Sequence, residues 1–278
     1  PGGDAAAIKI RGLSTLKNGD PLVLVDGVPM DMNYIDPVTV ESVTVLKDAA
    51  AAAVYGARAA NGVILVTTKR GVAGRVSVTY DGYYGVQSPS TMPALVDAPR
   101  YMRMYNEAQV NAGNQPFYSD EDIQHTEAGD DPVKYPNTDW QKEIINRAGP
   151  ITSHSVGVSG GNSMARFALT ANYQHQEGMI PLNQSNKYNI RANTSITLSK
   201  KFLVNMDMLA IKRNTLYPNR PNRYEGNRIL EDIFRVPPTI LPKYPEKEGA
   251  PTMYGRYVDI VNPVAYAEHG GQAANEYG

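Results

Sequence analysis

Long runs of two-residue alternation limit what the later part of this sequence can become. From Arg166 to Gln176, Phe167, Leu169, Ala171 and Tyr173 oppose Arg166, Thr170, Asn172 and Gln174. From Lys187 to Leu198, Tyr188, Ile190, Ala192, Ile196 and Leu198 oppose Lys187, Asn189, Arg191, Asn193 and Ser195. Val76, Val78 and Tyr80 against Arg75, Ser77, Thr79 and Asp81 repeat the pattern. So do Val204, Met206 and Met208 against Asn205 and Asp207, and Ser153 to Ser159 is a weaker fifth run. Such neighbours point to opposite faces of a strand. Runs of 11 or 12 residues exceed the usual globular strand of about 5–6 and suit a tilted membrane-crossing strand with an apolar outside and a polar lumen. A soluble sandwich alternates in the same way with its apolar face inward, so the period alone leaves both architectures open.

Connection lengths help to separate them. Gly160 to Ser163 and Ser199 to Lys201 are short, whereas 88 to 150, 177 to 186 and everything past Lys212 are long, so short and long links alternate. Outer-membrane barrels share that asymmetry, with short periplasmic turns and long external loops. Five strands cannot enclose a lumen lined with charge, because small barrels fill their interiors with packed side chains. The sequence therefore reads as an internal piece of a larger chain, as does its start at Pro1-Gly2-Gly3 without Met.

Composition removes other classes. A net charge of −1 with scattered basic residues gives no general attraction to nucleic acid or to an anionic surface. Cysteine is absent, which excludes disulfide scaffolds and thiolate zinc sites. No apolar run approaches the roughly 18 residues of a membrane helix. No His-Glu-x-x-His, Gly-x-Ser-x-Gly or Gly-Lys-Ser/Thr sequence occurs, and His125, His154, His175 and His269 are too far apart for metal-ligand spacing. Ser119 with Asp120, Glu121 and Asp122 offers a cation site on paper, but the spacing fits a capped helix start better. No catalytic residue, metal or cofactor is expected.

Before Arg75 the pattern is that of a small α+β domain. Leu22 to Val25 forms a strand closed by Asp26-Gly27, a turn signal. Val40 to Leu46 forms another, Asp48 caps a helix over Ala49 to Val54 that Gly56 ends, and Asn61-Gly62 turns the chain into a buried strand over Val63 to Thr67. Of 18 tyrosines, 16 follow Gly71. Tyr80, Tyr83, Tyr84, Tyr173 and Tyr188, at strand ends, suit a girdle at the lipid headgroups. Tyr217, Tyr224, Tyr244, Tyr254 and Tyr257 in loops, with Asn33 and Tyr34, are candidate contacts for a ligand or a protein lid.

The block Val40-Glu41-Ser42-Val43-Thr44-Val45-Leu46-Lys47-Asp48-Ala49, continuing to Tyr55-Gly56-Ala57-Arg58-Ala59-Ala60-Asn61-Gly62 and on to Gly71, resembles the plug domain of the SusC/RagA family of TonB-linked outer-membrane transporters. Ile10-Arg11-Gly12 and Pro21 to Pro29 stand where that family has comparable segments. Asp26, Gly27, Lys47, Asp48, Tyr55, Gly56, Asn61 and Gly62 carry the signature. Asn137-Thr138-Asp139-Trp140-Gln141, Val156 to Asn162, Tyr173 to Gly178 and Tyr188 to Asn193 resemble the family's first barrel strands.

The resemblance implies a membrane all-β protein. Residues 1–71 would be an α+β plug inside a barrel of about 22 strands, and residues 72–278 would supply the first five strands and their loops. It further implies TonB-dependent import of an oligosaccharide or peptide across the bacterial outer membrane, amid outer-membrane lipid. The partners would be a SusD-like lipoprotein and the TonB–ExbB–ExbD complex, the latter acting through a segment upstream of Pro1. Arg11 and Glu41 would be buried ions locking plug to wall, a pairing that specifies a docked state more than it stabilises one. An ordinary surface salt bridge is the plainer alternative, and Thr44 stands where an acidic residue is common. Two rival readings remain. One is a siderophore or cobalamin receptor, disfavoured by Lys47-Asp48-Ala49 where those carry glycine-proline, and the other is a soluble β-rich glycan-binding module or glycan-active enzyme.

Overall fold

The computed structural model describes residues 8–10, 20–47, 54–217, 228–246, 248, 251–257, 260 and 262–268. Arg11, Asp48, Tyr224 and most of the helix expected over Ala49 to Val54 lie outside the described residues. Contact patterns divide the chain into two units. One holds two sheets, and the other holds the long connections.

The amino-terminal sheet grows from the predicted turn. β1 (Leu22–Val25) reverses at Asp26 and Gly27, whose φ values of 50° and 87° form the paired left-handed turn that Asp-Gly favours, and returns as β2 (Val28–Pro29). The carboxylates of Asp31 and Asp36 accept from Asn33 N at 2.8 Å and Val38 N at 3.1 Å. Each starts a short 3-10 turn in this way. β3 (Val40–Leu46) and β4 (Val63–Thr68) complete the sheet in the order β2-β1-β4-β3, with β4 parallel to β1 and antiparallel to β3. The central β4 reads as an unbroken apolar run because both its faces are covered. Leu24, Ala59 and Val63 pack on one side, and Val25, Ile64 and Val66 with Ile8 and Ile10 pack on the other.

The second sheet contains β5 (Gly74–Gln87), β6 (Gly149–Gly161), β7 (Ala165–Glu177), β8 (Gln184–Ser199) and β9 (Phe202–Leu216) in sequence order. Each alternating segment is thus part of a longer strand. The β6–β7 register pairs Ser155 with Asn172 and Val156 with Ala171, which keeps polar and apolar residues on separate faces. The apolar face points outward: Ile190 is 53% and Leu198 65% exposed, whereas Asn189 is 4% and Arg191 7% exposed. Phe167, Leu169, Met206 and Met208 are exposed in the same way. A water-soluble sandwich would bury these side chains. Apolar side chains outside with polar ones covered is the arrangement of a membrane barrel wall.

The second unit has its own core. Asp97 caps α1 (Ala98–Asn111) and Asp139 caps α3 (Trp140–Ile144), each side chain accepting a first-turn N–H. Ser119 and Asp122 form the expected capping box at α2 (Asp120–Ala128), which Gly129 ends in the left-handed conformation. Trp140 and Ile144 pack with Ile180, Val236, Tyr266 and the Ile229 and Ile233 pair of α4 (Arg228–Arg235). The Trp140 indole N–H donates to the Pro237 carbonyl at 3.0 Å, which satisfies the polar edge of a ring that is otherwise fully buried.

Candidate functional site

The polar face of β8 lies against the amino-terminal sheet, and period two brings Lys187, Asn189, Arg191 and Asn193 to it together. Asp26, held at the β1–β2 turn, accepts from Thr68 N at 3.0 Å and from the Thr68 hydroxyl at 2.5 Å. Arg191 Nη1 approaches Asp26 Oδ2 at 3.4 Å, with both side chains more than nine-tenths buried. Asn193 Nδ2 donates to Thr68 Oγ1 and to the Lys69 carbonyl, each at 2.9 Å. Arg191, Asp26, Thr68 and Asn193 therefore form one connected chain of charge-assisted and neutral bonds.

A second contact centres on the Asn33 carbonyl, which accepts from Lys187 Nζ at 2.9 Å and Arg213 Nη2 at 3.2 Å. The Arg213 guanidinium lies 5.6 Å from the Tyr34 ring centroid, within cation–π range. A third contact is the half-buried pair Arg70–Asp207 at 2.9 Å. Asp36, also buried, has its carboxyl pushed above the usual range by burial. The Val38 N–H and the charges of Lys187 and Arg191 oppose that push, and Asp81 adds to it. Strands β8 and β9 thus supply three cations, Lys187, Arg191 and Arg213, against Asp26, Asp36 and the Asn33 carbonyl. The amino-terminal sheet has apolar packing of its own, and its contact with the second sheet is made of polar bonds, which undocking exchanges for bonds to water.

Of the residues singled out in the sequence, Asp26 is a member of this contact and Gly27 completes its turn. Gly62 closes the entry to β4, its carbonyl accepting from Leu22 N at 3.0 Å beside Asn61. Lys47, Tyr55 and Glu41 are exposed, and Gly56 has a φ of 74°. Among the described residues, then, the candidate lock residue Glu41 is not buried. Asn33 and Tyr34 face Lys187 and Arg213 of β8 and β9. Tyr217 and Tyr244 are exposed, while Tyr257 packs on the second unit's core. Tyr254 is 2% exposed, its hydroxyl donates to Glu268, and burial pushes its phenol up. Thr68, Arg70, Lys187, Arg191, Asn193, Asp207 and Arg213 carry most of the contact and were not singled out. Their one sequence signal was membership of the polar face or of the β4 exit.

The second unit holds a cavity of about 530 Å³ bordered by Tyr101, Asp97, Asp139, Trp140, Phe234 and Arg235. Burial pushes the Tyr101 phenol up to about 12.

Comparison with known proteins places these features in a family. The model of the TonB-dependent Receptor Plug Domain matches residues 1–63. TonB-dependent receptor P3 of Formosa agariphila is 29% identical over 272 residues, covering 96% of this chain and 25% of the relative. TonB-dependent receptor SusC of Bacteroides thetaiotaomicron is 30% identical over 236 residues, covering 81% and 21%. The chain therefore spans about a quarter of the length of these relatives. Among solved structures, the RagAB peptide transporter superposes with a TM-score of 0.67 at 20% identity, covering 90% of this chain and 32% of that one. The RagAB peptide importer in the closed-closed state gives 0.62 at 22% identity, covering 89% and 30%. At that identity the structures speak for the fold alone. The plug match and the sequence relatives, joined to a plug-like sheet followed by five strands, mean that this chain belongs to the TonB-dependent receptors of SusC/RagA type, proteins of the bacterial outer membrane, and holds the plug and part of the region that follows.

Proposed function

We propose that this chain is the gate of an active importer that carries an oligosaccharide or peptide across the outer membrane. Residues 1–71 are the plug and residues 72–278 open a barrel of about 22 strands. The boundary falls after β4, which runs to Thr68, five residues past the plug match. A SusD-like lipoprotein receives the cargo outside, and TonB with ExbB and ExbD pulls on a segment upstream of the plug.

The observation that carries the reading is the plug–wall contact through Asp26, Asn33, Thr68 and Arg70. It is polar, buried at Asp26 and Thr68, partly exposed at Arg70, and separate from the plug's own apolar core. A plug held this way has one specified resting pose and can shift without opening a hydrophobic core. A strain lacking the full-length gene should lose growth on one class of oligosaccharide or peptide and regain it from the intact gene. Complementation should fail when TonB is absent. Recovery of the protein in the soluble fraction without detergent, or uptake independent of TonB, would refute the reading.

A further inference from the structure

Between the plug's second 3-10 turn and strand β8 lies a cavity of about 10 Å³, bordered by Tyr34, Asp36, Thr39, Thr170, Asn189 and Arg191. Asp36 is 8% exposed and Asn189 4%. Each keeps one side-chain oxygen, Oδ2 of Asp36 and Oδ1 of Asn189, without a hydrogen-bond partner among the described residues. The other Asp36 oxygen already accepts the Val38 N–H. A carboxylate oxygen and an amide oxygen are both acceptors, so they cannot satisfy each other, and buried acceptors without a donor are rare in folded proteins.

One small molecule resolves the mismatch. Water carries two donors and needs roughly 10–15 Å³ of room, the size of this cavity. Arg191 on its border and Lys187 near Asp36 already supply positive charge, which disfavours a metal cation there. We propose that the cavity is a binding site for a single water, which donates one hydrogen to Asp36 Oδ2 and the other to Asn189 Oδ1 and so pins the plug to the wall. The pin differs from the Asp26–Arg191 pair in being exchangeable. When the plug moves, each acceptor passes to bulk water, and the same contact re-forms on return. The site rests on the geometry of two buried oxygens and holds whatever the cargo.

The test is a structure of the full-length receptor at a resolution that shows ordered water. Density for one oxygen about 3 Å from both named atoms is expected in the unaltered protein. In Asn189→Leu, which removes one of the two acceptors at nearly the same side-chain size, the density should vanish while the plug keeps its pose. In Asn189→Asp a water should persist between two carboxyls. A dry cavity, a direct Asp36–Asn189 bond in the unaltered protein, or an ion with ligand distances of about 2.4 Å would each overturn the proposal. Because the unaltered receptor is read without energisation, failure here leaves the import reading to its own growth test.

Discussion

Arg191→Met removes the guanidinium from the plug–wall contact while keeping most of the side chain's stem. Asp26 Oδ2 then loses its ionic partner, and the carboxylate retains the N–H and hydroxyl of Thr68 at 3.0 and 2.5 Å. Breaking a buried pair by removing one member costs about 3–5 kcal/mol, because the survivor is left buried and unpaired. With two hydrogen bonds still on Asp26 the low end applies. About 3 kcal/mol is roughly a hundredfold in the ratio of docked to undocked plug. The full-length variant, reconstituted in planar bilayers, should show correspondingly more frequent openings to small ions. The double variant Asp26→Asn with Arg191→Met removes both charges and should recover most of the loss, which a double-mutant cycle measures directly. If Arg191→Met opens no more often than the unaltered receptor, or if the double variant opens as often as the single one, the pair does not hold the plug.

Three other perturbations test the fold around this contact. Trp140→Ala empties the centre of the second unit and should cost about 3–5 kcal/mol, read as rapid proteolysis between residues 88 and 148, whereas Trp140→Phe should lose only about 1 kcal/mol with the bond to Pro237. Gly71→Ala sets a Cβ 2.2 Å from the Phe167 carbonyl oxygen, where backbone must move, so the variant should assemble poorly, seen as loss of the heat-modifiable folded band on gels. His125 is held in its charged form chiefly by its hydrogen bond to Asp130, and Asp130 and Glu121 add charge. Its folded value is raised, so the support it gives the end of α2 is complete below about pH 6.5 and fades as pH rises through that raised value. Amide protection at residues 125–130, taken relative to the intrinsic exchange rate at each pH, should fall over that interval, and Asp130→Asn should flatten the change.

Local geometry made a good part of this protein legible in its residues. Alternation gave the strands and the residues sharing each face, since a pleated backbone sends successive side chains to opposite sides whatever surrounds them. Asp26-Gly27 gave the turn, and Ser119 with Asp122 gave the helix start, because each depends on atoms within four positions. Alternation did not say which face was wet. That followed from exposed Ile190 and Leu198 beside buried Asn189 and Arg191, a question of what packs against the sheet.

The contact between the two sheets was decided by tertiary structure. Asp26 and Arg191 are separated by 165 positions, and Thr68 and Asn193 by 125. Their meeting depends on sheet register and on how closely the plug approaches the wall, neither of which leaves a periodic trace. Tyr254 makes the same point in reverse, because a tyrosine in an irregular connection looks available until its neighbours close over it. The residue order fixed what each segment can be, and the approach of distant segments fixed which polar groups lost their water and therefore had to find one another.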